Sequence, residues 1–233
     1  STLFVSDPDG RLRYHREPGY CESDLEPAPR FFLGRTSQGH VWRFRHDLPQ
    51  ALVHELERLC QAEPVTTDLA DEPHNTALIR AALHAHAPIS GEERWPAYLI
   101  PNGVKAAGEA VLISAANAHL LERHFPWKRE SAYSLESGPI TGVVEEGSAV
   151  SICHCARLSP LAAEAGVETV APFRGRGYAG AAVASWAGAV RDLGLIPLYS
   201  TQWENCASRA VARTHLRIPH GGAGPAPGFR RAR

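Results

Sequence analysis

The sequence predicts an α+β protein, and three observations carry that prediction. Between Pro139 and Ala156, two strand-like runs flank Glu145-Glu146-Gly147, the outline of a hairpin. A β-favouring run over 166–171 then leads through Pro172 into the basic glycine turn Arg174-Gly175-Arg176-Gly177 and an alanine-rich helix. Upstream, leucines and other apolar residues recur at helical spacing in two further segments. From Pro139 onward the order is hairpin, strand, helix, strand, helix.

Composition sets the bounds. A chain of 233 residues that is 44% hydrophobic and 21% charged can bury a full core, as one large domain or two small ones. A formal net charge of −1 offers no electrostatic case for a nucleic-acid or membrane partner. The 5 cysteines, Cys21, Cys60, Cys153, Cys155 and Cys206, form no C-x-x-C pair and read as reduced thiols. With no apolar run of membrane-spanning length and no signal-peptide plan at the start, the expected location is cytoplasmic.

Residues 1–39, rich in Pro, Gly, Asp and Arg, read as a lightly structured lead-in with one short strand near Arg30 to Leu33. Val41 to Arg45 alternates as a strand does. Leu48 to Cys60 follows Asp47, carries Pro49 in its first turn and sets Leu52, Leu56 and Leu59 on one side, which predicts a helix. Asn75 to His86 predicts a second, with Leu78, Ile79, Ala82 and Leu83 on one face and Pro88 beyond its end. Tyr98-Leu99-Ile100 is a short strand, and Ala116 to Phe125 a third helix with Leu120 and Leu121 inward. After the glycine turn, Val183, Trp186, Val190 and Leu193 define the apolar face of the next helix, which Gly194 stops. A strand over 196–203 follows, then a helix capped by Asn205 with Ala207, Val211 and Ala212 on its apolar side.

A strand, a glycine loop and a helix start make an anion site. The first helical N–H groups lack partners, glycines admit positive φ, and Arg174 and Arg176 add charge, so a phosphate or pyrophosphate is the expected guest. No G-x-x-x-x-G-K-[ST] occurs. Gly175 to Gly180 does spell G-x-G-x-x-G, but that dinucleotide motif opens a unit with several more βα repeats than the chain after it offers.

Arg174-Gly175-Arg176-Gly177-Tyr178-Ala179 resembles the R-x-x-G-x-[GA] pyrophosphate loop of the GNAT superfamily of acyl-CoA-dependent N-acetyltransferases. Asn205-Cys206-Ala207-Ser208-Arg209-Ala210-Val211-Ala212 is similar to the N-x-x-S-x-x-x-A block that follows that loop in the same family. The likeness runs over roughly residues 97–218. It implies a mixed, mostly antiparallel central sheet flanked by helices, with three parts: a helical amino-terminal extension over 1–95 covering the acceptor side, an acetyltransferase core over 96–218, and a flexible tail over 219–233.

The resemblance implies acetyl-CoA as cosubstrate and no metal. Thr169, Val170, Arg174, Gly175, Arg176, Gly177, Tyr178, Ala179, Asn205 and Ser208 are the cofactor-binding candidates it implies. Pantetheine would wedge between Glu168 to Ala171 and Leu198 to Gln202, and an N–H near Thr169 or Val170 would meet the acetyl carbonyl. The implied acceptor is the primary amine of a small molecule, attacked directly in a ternary complex; acetylation of a peptide or protein amine, or a non-catalytic acyl-CoA-binding role, are the alternatives. For the base, Glu164 is the first candidate, at the start of the central strand, and Glu168 the second, four residues along the same face. The last helix lacks the tyrosine that many members use as general acid, which leaves Tyr199 on the preceding strand. Because the tail is too rich in glycine and proline for a closing hairpin, the acceptor wall is expected partly from the amino-terminal region or from a second subunit in a homodimer.

Cys153-His154-Cys155 places its cysteines on one strand face and the histidine on the other, so these three cannot converge on one ion. Core thiols are the expectation.

Overall fold

The computed structural model describes residues 3–18, 20, 22–104, 108–215 and 228–232. Its centre is a six-stranded sheet in the order β6 (Ala97–Leu99), β11 (Ile196–Ser200), β10 (Ala162–Thr169), β9 (Ser148–Leu158), β8 (Ile140–Glu145) and β7 (Val111–Ile113). Every neighbouring pair is antiparallel except β10 and β11, which run parallel with helix α3 (Tyr178–Asp192) between them in sequence. The fold is therefore α+β, as the sequence predicts.

Local chemistry explains the joints. Strands β8 and β9 meet in a two-residue turn where Glu146 and Gly147 both take positive φ, 48° and 74°, the twist that suits a tight hairpin. Helix α3 lays Val183, Trp186, Ala187 and Val190 on one face of the sheet, against Cys153, Cys155, Ala163 and Ala165. Leu193, expected on that face, instead caps the helix and is 61% exposed. The opposite face carries Ile140 and Ile152 under Leu121 and Phe125. The helix expected over 116–125 is a tight 3-10 run, Ala115–Leu121, kinked at Asn117, whose φ of −129° departs from helical values. The Asn117 side chain spends its hydrogen bonds on the backbone at Ser114 and Leu112, which favours that tight turn over an α-helix.

The amino-terminal region is more than helical. Helices α1 (Gln50–Gln61) and α2 (Thr76–His86) stand where the sequence puts them, and they pack on a four-stranded sheet ordered β4 (Gly39–Phe44), β3 (Phe31–Thr36), β12 (Gly228–Ala232) and β5 (Glu92–Trp95). Phe31 and Leu33 face Leu56, Ile79 and Leu83 of the helices, while Phe32 faces Phe4 and Leu12 of a hairpin, β1 (Phe4–Ser6) and β2 (Leu12–His15). The lead-in thus holds three strands where composition suggests one, because both faces of β3 are covered. Leu78 is the exception on α2, at 57% exposed, with Ile79, Ala82 and Leu83 buried instead. Strand β12, from the stretch read as a flexible tail, lies antiparallel between β3 and β5. Residues 216–227, and with them the motif boundary at Ile218, lie outside the described residues.

Candidate functional site

Strands β10 and β11 pair only at Ala162↔Ile196, Ala163↔Pro197 and Glu164↔Leu198. Beyond that point β10 continues to Thr169 on β9 alone, and β11 to Ser200 on β6 alone. The two strands form a fork. A cavity of about 790 Å³ opens past it, lined by Val167 to Ala171, by Arg174, Gly175, Gly177, Tyr178 and Ala179 of the loop and helix start, and by Asn205, Ala207, Ser208, Ala210 and Val211. The last set belongs to helix α4 (Cys206–Ala210) and the π-helical turn Val211–His215.

The cavity therefore gathers nine of the ten cofactor-binding candidates, from Thr169 to Ser208. Arg176 is the one left out: its guanidinium turns back to the Pro172 carbonyl at 3.2 Å and over the Phe173 ring at 5.2 Å. Arg174 lines the cavity while its Nε donates to the Thr169 carbonyl at 3.1 Å. Gly175 and Gly177 have φ of 75° and 82°, which a side chain would resist. Gly177 caps helix α3 with no side-chain hydrogen bond, so the helix start presents free backbone N–H groups and positive partial charge. Tyr178 Oη donates to Glu145 Oε1 at 2.5 Å and so fastens the loop to the β8–β9 hairpin.

One expectation fails at Val170. Its N–H donates to the Val150 carbonyl at 2.9 Å and cannot serve a ligand. Antiparallel pairing alternates, so with Val170 committed to β9 the N–H groups of Thr169 and Val167 point to the open side of β10. Thr169 lines the cavity.

The carboxylates separate sharply. Glu164, the first candidate for the base, is 3% exposed, does not line the cavity, and holds Arg157 Nη1 at 3.0 Å and the Ser200 hydroxyl in a short hydrogen bond. Glu168 is exposed on the cavity wall, and partial burial raises its pKa against the opposing charge of Lys128. Tyr199 is 1% exposed, away from the cavity, with its hydroxyl 2.6 Å from Ser208 Oγ, and burial pushes its pKa up to about 12.

His124 and Phe125 also line the cavity, from the segment over the second sheet face. No sequence motif marks either residue; both fall at the end of the helix expected over 116–125. On the same side of the sheet, the Trp127 ring meets His154 edge-on at 5.7 Å, and Lys128 Nζ lies 5.0 Å above Trp127. Burial first, and then Lys128, lowers the His154 pKa to about 3, so the ring is neutral. Cys153 and Cys155 face the α3 core, as expected for structural thiols. Among the described residues, no group of three His, Cys, Asp or Glu side chains could hold a metal ion, and no helix is long and apolar enough to cross a membrane.

No protein-family model and no curated protein matches the sequence. Solved structures similar to the chain include an acetyltransferase from the GNAT family of Colwellia psychrerythraea, at 14% identity and a TM-score of 0.47, covering 94% of this chain and 85% of that one. A GCN5-related N-acetyltransferase-like protein from Streptococcus suis gives 16% identity and a TM-score of 0.46, over 88% and 85% of the two chains. A GCN5-related N-acetyltransferase from Sphaerobacter thermophilus gives 14% and 0.42, over 90% and 78%. A likeness of this size concerns the course of the chain and says nothing of substrate or activity.

Proposed function

We propose that this chain is an acetyl-CoA-dependent N-acetyltransferase that acetylates the primary amine of a small molecule in a ternary complex. The observation that carries the reading is the fork. Two parallel strands part after three pairs, and the glycine loop, the uncapped start of α3 and the Asn205–Ser208 turn all converge on the gap between them. Such a cleft fits acetyl-CoA in kind: positive-φ glycines, an open helix start and Arg174 suit a pyrophosphate, and unpaired N–H groups along β10 suit an extended amide-bearing arm.

Acetyl-CoA supplies the acyl group as a thioester; the remaining work falls to the chain. Glu168 is the better base, since it lies on the cavity wall with a raised pKa, while Glu164 is enclosed and engaged. It takes the proton of the attacking amine. The Thr169 N–H donates to the carbonyl oxygen as negative charge develops there. Tyr199 reaches the cavity through Ser208 Oγ, which offers a path for returning a proton to the leaving sulfur.

The test is a thermal-shift titration with acetyl-CoA, CoA, ATP and NADPH, on the native chain and on Arg174→Ala combined with Gly177→Val. At about 100 times Kd, ligand binding adds roughly 2.7 kcal/mol of stability. A rise with the CoA species that shrinks in the variant supports the proposal. A response to ATP or NADPH alone, or to none of the four, overturns it.

A further inference from the structure

We infer that Glu164 is a positioning residue that braces the fork: gripped by Arg157 on β9, its carboxylate reaches across to Ser200 on β11 and sets how far the two parallel strands can part. The inference rests on the acyl-CoA reading of the cleft only for its consequence. The brace itself is a matter of strand geometry.

The last backbone pair between β10 and β11 is Glu164↔Leu198. Ser200 lies two residues further along β11, on the same face as Leu198, at the point where backbone pairing with β10 has ended. Ser200 nonetheless hydrogen-bonds to Glu164 Oε1, so the side chain continues the strand connection one step beyond the backbone. The other carboxylate oxygen accepts from Arg157 Nη1 at 3.0 Å. Arg157 is the residue opposite Glu164 on β9, next to a register shift that leaves Ala156 as an extra residue. Three adjacent strands are thus tied through one carboxylate at the root of the cleft.

The surroundings argue against a passive role. Glu164 has Ala162, Ala163 and Ala165 as neighbours, all buried, and alkyl side chains in place of the Glu164–Arg157 pair would fill the space without the cost of enclosing two charges. An alkyl group could not, however, hold a strand that is already turning away. A glutamate has the length to span a widening gap and the charge to make both bonds strong. Because the cleft walls downstream are the unpaired edges of β10 and β11, a looser root changes the spacing at Val167 and Thr169 directly.

The experiment compares Ser200→Ala, which cuts the link without touching the acid, with Glu164→Asp, which keeps the charge and shortens the reach, and with the two combined. Amide hydrogen exchange over 165–169 and 199–202 reports the fork itself. Calorimetric titration with CoA and the pH profile of acetyl transfer report the cleft. A brace predicts about tenfold faster exchange at the fork in each single variant, with little further change in the double. It also predicts about tenfold weaker CoA binding in both, with the acid limb of the pH profile unmoved. Native exchange at the fork in Ser200→Ala overturns the brace. So does a Glu164→Asp protein that binds CoA normally but loses turnover with a displaced acid limb, the mark of a base. If the unaltered chain fails to bind CoA, the acyl-CoA reading falls, while fork exchange still decides the brace.

Discussion

The hydroxyl of Tyr199 lies 2.6 Å from Ser208 Oγ, joining the strand on one side of the cleft to the helix that forms its outer wall. Ser208 lines the cavity and Tyr199 stands behind it, so the serine hydroxyl links the phenol to the cavity. If this pair returns a proton to the leaving sulfur, Tyr199→Phe and Ser208→Ala should each lower kcat on the order of 100-fold, and the double variant no further. Steady-state kinetics on the three variants checks this. Multiplying losses would mean that the two hydroxyls act separately.

If Glu168 takes the proton of the attacking amine, Glu168→Gln should lower kcat on the order of 100-fold while leaving CoA affinity within about twofold. Lys128 favours the ionised carboxylate of Glu168. Lys128→Met should therefore move the acid limb of the kcat/KM profile to higher pH. A limb that stays in place would separate Lys128 from the base.

Stability should peak between about pH 6.5 and 9. His154 is held neutral, with a pKa lowered from 6.5 to about 3, so the stability it gives is complete above 6.5 and is lost as pH falls toward 3. At the other end, burial raises Cys60 from 9.0 to about 12 and Cys155 from 9.0 to about 11, and their contribution fades as pH climbs through that range. Chemical denaturation across pH should show both limbs. His154→Gln should flatten the acid one.

Glu63 ties α1 to α2. Its carboxylate accepts from the N–H groups of His74 and Asn75 at 2.7 and 2.9 Å, where α2 begins without a side-chain cap of its own, and it lies 3.8 Å from buried Arg35. Glu63→Ala should cost about 3 kcal/mol, since it strips two donors and leaves Arg35 enclosed. Urea titration of that variant measures it. Glu55, exposed on α1, should tolerate alanine within about 0.5 kcal/mol.

Much of the cleft was legible in residue order. Arg174 to Ala179 and Asn205 to Ser208 are local patterns, and the structure brings both to one cavity. What escaped depends on partners distant in sequence. Glu164 and Glu168 share a strand face, and nothing in their spacing distinguishes them; Arg157 and Ser200, from two other strands, enclose only the first. Val170 lost its part to a carbonyl on β9. The β1–β2 hairpin of the lead-in was hidden because Phe4 and Leu12 find their cover in Phe32 of β3, and the full length of β3 because Arg30 and Arg35 look like surface residues. In fact Arg30 donates to the Leu83 and Pro88 carbonyls at the end of α2, and Arg35 to the carbonyls of Leu69 and Asp71. Leu78 and Leu193 mislead the opposite way, being apolar at helical spacing yet exposed.

Strand β12 pairs with β3 on one side and β5 on the other, and β3 and β5 make no ladder with each other. The sheet under α1 and α2 is thus split until a segment that follows the six-stranded sheet in sequence arrives to fill the slot. During synthesis the amino-terminal sheet must wait, with two strand edges open, while residues 96–227 are made. Its completion is a late, long-range event, so any lesion that delays the core leaves those open edges available to neighbouring molecules, and damage near residue 230 should surface as aggregation driven from residues 31–36 and 92–95.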